Sequence, residues 1–246
     1  MSECQLSWTR SGMKNTIIVA LDVNTLKEEE RLLNTLSSEV QIFKIGMELF
    51  YSCGVKAIEL VKKYDKDIFL DLKFHDIPNT VYAASKIAVR FGVFMFNVHA
   101  SGGIDMMRKA VEGAEEESEK LGVARSKILG VTVLTSMDKE ALKKMGIDKS
   151  AQDQVLSLAI LAKEAGLDGV VASPEEITAI RKNTGKDFLI VTPGVRPKGS
   201  ETGDQKRVAT PKEAFQRGAD YIVIGRPVTK AKDPVKAFKT IASSFA

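Results

Sequence analysis

The segment FLDLKFHDIPNT, residues 69–80, holds the densest group of side chains able to do chemistry. Asp71 and Lys73 lie two positions apart, so in a β-strand their side chains share one face while Leu72 points the other way. Asp76 follows just past the strand end, and Pro78 can occupy the first turn of a helix that begins there. This spacing predicts two carboxylates, Asp71 and Asp76, bracketing one ammonium. Nearby negative charge keeps such an ammonium ionised. A positioned ammonium can then stabilise developing negative charge and deliver a proton. Two further charges sit in apolar runs. Lys44 in VQIFKIGM shares a face with Ile42 and Gly46, and Asp22 follows Ile18 and Ala20 in IIVALDV. Rim salt bridges are the plain alternative, and exposed pairs contribute only ~0–1 kcal/mol. Asp and Lys within apolar strands, however, are seldom buried unless paired.

The elements that position these residues repeat along the chain. Strand candidates fall at 15–23, 40–47, 67–74, 93–100, 127–135, 169–173, 188–194 and 221–228. Between them lie charged segments with apolar residues at helical spacing, such as LKEEERLLNTL and AQDQVLSLAILAKEAG. Strict alternation of strand and helix implies a parallel sheet. Eight such units over about 230 residues fit an α/β fold of the (β/α)₈ TIM-barrel type, forming a single domain. A doubly wound sheet would carry G-x-G-x-x-G after its first strand, whereas this strand ends in LDVNT. The predicted barrel domain spans 14–246, with 1–13 as a flexible extension that holds Trp8. Chemistry in a barrel gathers at the C-terminal strand ends. Here those ends read Asp22, Lys44, Asp71/Lys73, Asn97/His99, Thr135, Ser173, Thr192 and Gly225/Arg226. Four charges from three strands converging on that end favour a site over a chance set of rim pairs.

Composition removes several classes. Hydrophobic residues at 44% and charged residues at 28% suit a globular core. The net charge of +4 is spread along the chain, which suits a small anionic ligand and argues against nucleic acid. The apolar runs fall far short of the ~20 residues of a membrane span, and the start MSECQLSWTRSGMKN lacks the apolar run of a signal peptide. Cys4 and Cys53, the two cysteines, exclude a disulfide scaffold and read as reduced thiols of a cytoplasmic protein. No HExxH motif or His/Cys cluster exists, so zinc is not expected. No G-x-S-x-G elbow marks a nucleophile. His75 reads as loop packing and His99 as a hydrogen-bonded core residue. The glycine- and proline-rich stretch VTPGVRPKGSETGDQKRVATP after strand seven has the character of a lid. IVIGRP puts Gly225 and Arg226 where barrels commonly bind phosphate.

Taken with ALDV, FKIGMELFY, NVHASGG, VTVLTS and DYIVIGRPVT, the segment DLKFHDIPNTV resembles the orotidine 5′-phosphate decarboxylase family in its short monofunctional microbial form, across about residues 15–230. The resemblance implies a cofactor-free homodimer that converts orotidine 5′-phosphate to UMP and CO₂ in pyrimidine biosynthesis. It implies Lys73 as proton donor, with Asp71 beside the leaving carboxylate and Lys44 between that array and the ribose. Asp22 would bind ribose and Thr135 the pyrimidine, with Ile77 and Pro193 also in contact with substrate. Asp76 and Thr80 would enter the neighbouring subunit's site. Arg196, Gln205, Gly225 and Arg226 would serve the phosphate, with Gln205 on the closing loop. The alternative is a Mg²⁺-dependent sugar-phosphate decarboxylase or aldolase of the related D-x-K-x-x-D barrels, which shares Asp71, Lys73 and Asp76. IPNT and IGRP favour the nucleotide enzyme.

Overall fold

The computed structural model describes residues 16–196 and 209–245. Eight parallel strands close into a barrel in chain order, the last pairing with the first. They are β1 (Ile17–Ala20), β2 (Ile42–Gly46), β3 (Asp67–Phe74), β4 (Met95–His99), β5 (Lys127–Val131), β6 (Gly169–Val171), β7 (Leu189–Thr192) and β8 (Tyr221–Ile224). The outer layer comprises α1 (Leu26–Leu36), α2 (Met47–Cys53), α3 (Val55–Lys63), α4 (Pro78–Arg90), α5 (Ile104–Leu121) and α6 (Lys139–Lys144). It continues with α7 (Ala151–Glu164), α8 (Ile177–Thr184), α9 (Pro211–Arg217), α10 (Arg226–Thr229) and α11 (Pro234–Ser243). The proposed extension at 1–13 lies outside the described residues.

Strand alternation builds two separate cores. Ile18, Ala20, Ile42, Phe69, Met95, Leu129, Val191 and Val223 fill the barrel interior. Ile17, Val19, Phe43, Ile45, Ile68 and Leu70 pack outward against the helices. The inner face therefore follows the two-residue period expected for β1 and β2. Helices begin where local chemistry starts them. Thr25 accepts the Glu28 N–H at 3.3 Å, Thr210 and Glu213 form a capping box, and α4, α9, α10 and α11 each carry proline in the first turn.

Several strands end sooner than expected: the one read over 15–23 stops at Ala20 and the one over 127–135 at Val131, leaving Asp22 and Thr135 on the loops that follow. The strand read over 221–228 stops at Ile224, and Arg226 opens the short helix α10. Pro227 explains the stop, because it cannot donate to a sheet ladder but suits a first helical turn.

Glu29 is an anomaly of the outer layer. It lies on the buried face of α1 with Leu32, Leu33 and Leu36, and neither carboxyl oxygen has a hydrogen-bond partner. Burial pushes its carboxyl up to about 8, so the folded protein holds it protonated at neutral pH while the unfolded chain ionises it. Its contribution is therefore fully present below the ordinary glutamate range and is lost as pH rises toward 8. Glu29→Gln keeps the shape without the ionisation. Its stability advantage over the parent should grow between pH 5 and pH 8, by on the order of 3 kcal/mol. Thermal melts of both proteins at the two pH values check this. A difference that does not change with pH contradicts a buried neutral carboxyl.

Candidate active site

Strand register brings the charges together. Ala20 pairs with Lys44 and Gly46 pairs with Asp71, so successive strands present successive charges at the C-terminal mouth. Asp22 stands two residues beyond the end of β1. Lys44 Nζ lies 3.2 Å from Asp22 Oδ1 and 3.3 Å from Asp71 Oδ2. Lys73 Nζ lies 2.6 Å from Asp71 Oδ1. The result is an alternating chain, Asp22–Lys44–Asp71–Lys73, in which Asp71 touches both ammonium groups.

The charges reinforce one another. Burial alone would lower the pKa of Lys44, but Asp71 and Asp22 outweigh it and hold the ammonium above its ordinary range. Burial alone would raise Asp71, but Lys44 and Lys73, with the hydrogen bond from Asn97, hold it below the usual carboxylate range. Lys44 and Asp71 are thus both charged at neutral pH, in a mouth where water screens them poorly.

The charged chain forms one wall of a cavity of about 230 Å³. Lys44, Asp71 and Lys73 face Val131, Val133, Leu134, Thr135 and Pro193 across it, above Phe69 and Val223. A pocket with one ionic side and one largely apolar side suits a flat ring that carries a charged substituent at its edge.

Local backbone prepares this wall. Lys73 adopts a left-handed φ of 54°, and the β3–β4 pairing shifts register between Leu70 and Phe74. β3 is therefore bulged where a regular strand was expected, although Asp71 and Lys73 still meet at the pocket. The Lys73 N–H donates to Asn97 Oδ1 at 2.8 Å, and Asn97 Nδ2 donates to Asp71 Oδ1 at 2.7 Å. Gly46 leaves space for the Lys44 head, because a Cβ there would come within 2.8 Å of Lys44 Nζ. A Cβ on Gly225 would likewise reach 3.1 Å from Asp22 Oδ2.

Of the residues singled out in the sequence, Asp22, Lys44, Asp71 and Lys73 join the charged chain. Thr135 and Pro193 line the cavity with the last three. Asp76 departs from expectation, since it does not bracket Lys73 within one chain. The backbone turns away after β3, and exposed Asp76 accepts its neighbour Ile77's N–H at 2.7 Å. Ile77 is 67% exposed, and Thr80 is exposed beside it on α4. Arg196, Gly225 and Arg226 stand after β7 and β8 and do not line this cavity. The Arg196 N–H bonds to the Ala209 carbonyl at 2.9 Å, next to a bridge between Val195 and Ala209. Gln205 lies outside the described residues. His75 and His99 stack with ring centroids 5.2 Å apart. His99 is half-buried rather than a core residue, and its pKa is lowered by burial, then by His75 and Lys73. Asn97, read only as a polar strand end, and Gly46, read only as sharing a face with Lys44, take roles that the sequence reading did not assign. The available signal was a polar residue on the inward register of the apolar run VFMFNV, and a glycine two places beyond an inward lysine.

The chain matches the model of the orotidine 5′-phosphate decarboxylase / HUMPS family over residues 15–241. It is 52% identical over 237 residues to orotidine 5′-phosphate decarboxylase of Moorella thermoacetica, covering 96% of this chain and 94% of that one. It is 52% identical over 237 residues to the protein of that name from Trichlorobacter lovleyi, covering 96% and 98%. The crystal structure of orotidine 5′-phosphate decarboxylase from Lactobacillus acidophilus superposes with a TM-score of 0.83 at 40% identity, over 94% of this chain and 99% of that one.

Gly46→Ala tests the spatial reading of the wall. The new methyl meets a flexible side-chain tip rather than backbone, but shifting it takes one ammonium from a poorly screened carboxylate, so stability should fall by roughly 1–3 kcal/mol. In a crystal structure of the variant, Lys44 Nζ should lie beyond about 4 Å from Asp71. Retention of that ion pair contradicts the claim that Gly46 makes room for it.

Proposed function

Because the chain belongs to the orotidine 5′-phosphate decarboxylase / HUMPS family, we propose that it converts orotidine 5′-phosphate to UMP and CO₂, with Lys73 as the acid. The observation that carries this is the alternation of ammonium and carboxylate along one wall of an otherwise apolar pocket. The C–C bond between pyrimidine C6 and the carboxylate breaks, CO₂ leaves, and the electron pair remains on C6. That pair lies in the ring plane, outside the π system, so it is stabilised by charge placed nearby. The Lys73 ammonium supplies that charge and then transfers a proton to C6. The neutral amine left behind regains its proton from water. Asp71 holds Lys73 in place, and Lys44 holds Asp71 ionised.

Repulsion between Asp71 and the substrate carboxylate is a minor contribution. Two charges 4 Å apart interact by ~4 kcal/mol at an effective dielectric of 20, whereas the largest accelerations require on the order of 20 kcal/mol. The remainder comes from the preorganised ammonium and from binding energy at the remote phosphate. That task falls to Arg196, Gln205, Gly225 and Arg226. Asp22 binds the ribose, while Thr135 and Pro193 contact the pyrimidine. Outward-facing Asp76, Ile77 and Thr80 complete the site of a second copy, giving a homodimer. The enzyme acts in the cytoplasm, where free Cys53 stays reduced.

The metal-dependent alternative meets an unsuitable donor set. Asp71 Oδ1 is occupied by Lys73 and Asn97, and Oδ2 faces Lys44. A divalent cation would have to displace an ammonium to reach it. Among the described residues, no group of three or more His, Cys, Asp or Glu side chains is arranged to hold a metal ion. No helix among them is long and apolar enough to cross a membrane.

Ultraviolet absorbance follows loss of orotidine 5′-phosphate directly. Lys73→Ala should fold normally and retain less than about one per cent of kcat, in line with loss of a group acting only at the transition state. EDTA should leave the parent's rate unchanged. Retained turnover in the variant removes Lys73 from the acid's role, and EDTA sensitivity favours the metal-dependent reading.

Subunit mixing tests the shared site. Lys73→Ala and Asp76→Ala proteins, each inactive, are dissociated together and reassociated. Each mixed dimer then carries one site with both residues intact, so about a quarter of parental activity should return. No recovery means that Asp76 does not serve the partner's site.

A further inference from the structure

We propose that Asn97 is a positioning residue for the acid, clamping the Lys73 backbone and the Asp71 carboxylate in one fixed relation; this rests on the decarboxylase reading above. On β3 and β4, Phe69 pairs with Met95 and Leu70 with Phe96, and pairing then resumes at Phe74 and Val98. Asp71, Leu72 and Lys73 thus stand opposite the single residue Asn97. A bulge of this kind leaves ladder groups unpaired. It also contains the left-handed Lys73, a conformation that strains a residue with a side chain and persists only where the surroundings impose it.

Asn97 supplies what the bulge lacks. It is 1% exposed, and its two amide atoms have different tasks. A backbone N–H can only donate, so the carboxamide oxygen faces the Lys73 N–H at 2.8 Å. The carboxamide nitrogen is then directed at Asp71 Oδ1, 2.7 Å away. That same oxygen accepts the Lys73 ammonium at 2.6 Å. The contacts close a ring running from Asn97 to the lysine backbone, out along its side chain, across the ion pair and back. Root and tip of the lysine are both tethered to one buried amide. Asn97 and Lys73 both bind Oδ1, while Oδ2 faces the second ammonium, Lys44, at 3.3 Å.

The task needs one acceptor and one donor on a short side chain. Ionised Asp offers acceptors alone, Leu offers neither, and Gln is one methylene longer. Displacement of a reacting group by about 1 Å can cost 10²-fold in rate. A clamp on the acid should therefore appear in kcat rather than in substrate binding.

Asn97→Leu, which fills the space without polar atoms, should lower kcat by about 10- to 100-fold while KM for orotidine 5′-phosphate changes by less than about threefold. Asn97→Asp adds a signature that a merely structural role does not give. Burial and Asp71 raise its carboxyl pKa against the opposing pull of the Lys73 and Lys44 ammonium groups, with His99 beyond them held toward its neutral form by burial, and in the protonated form it again has one donor and one acceptor. Its kcat, relative to the parent, should be low at alkaline pH and recover as pH falls. Should the Leu variant fail to fold, the near-isosteric Asp variant decides alone. An Asp variant that matches the parent at every pH, or is impaired equally at every pH, overturns the proposal. The parent's own release of CO₂ from orotidine 5′-phosphate judges the decarboxylase reading separately. If the parent does not release it, hydrogen exchange at the Lys73 amide still decides the clamp. Exchange should be at least about tenfold faster in Asn97→Leu, with Leu70 unchanged, and equal Lys73 rates overturn the inference.

Discussion

A single carboxylate shared by two ammonium groups governs this molecule. Asp71 is largely withdrawn from water, with Lys44 and Lys73 each within about 3 Å of one of its oxygens. Removing water strengthens the attraction but also makes every unpaired charge costly. The array is therefore interdependent: loss of Asp71 would leave Lys73 without its carboxylate and Lys44 with Asp22 alone. Such interdependence stabilises a fold poorly compared with apolar packing. It is well suited to holding charge ready where a reaction will need it.

The barrel enforces the arrangement from below. Its interior is packed with Ile, Phe, Met, Leu and Val from alternate positions, so the strands cannot slide past one another without opening a void. Register is thereby locked, and with it the height of each charge at the mouth. At the rim the rules relax. Lys73 takes a left-handed backbone, β3 bulges, and glycines stand at 46 and 225 where any side chain would crowd the charged heads. These departures from regular structure lie within a few residues of the ionic wall, which is where backbone strain tends to be kept.

On the decarboxylase reading, the division of labour around the barrel follows from the reaction. The charged wall comes from β1 to β3, where the C6 electron pair must be met by a cation. β8 closes the barrel against β1, so Gly225 stands next to Asp22 at one end of the charged wall. Asp76, Ile77 and Thr80 are exposed just past the end of β3, the surface proposed above to meet a second copy.

Much of this was legible in the residues alone because side-chain alternation is a local property. The two-residue period placed Ile18, Ala20, Ile42 and Lys44 on the inner face, and the repeat of strand and helix implied the closed parallel sheet. It also put Asp22, Lys44, Asp71 and Lys73 at the functional end. What local pattern could not convey was anything that depends on pairing between distant segments. The bulge opposite Asn97, the space at Gly46 and the turning of Asp76 away from Lys73 arise only once strand register is set. The early end of β8 at Ile224, followed by Pro227, was at least signalled by its proline. Residue types and their spacing decided which charges would meet. Tertiary structure alone decided how they meet, because distances between side chains are fixed by backbone dihedrals and interstrand stagger, which no stretch of sequence carries by itself.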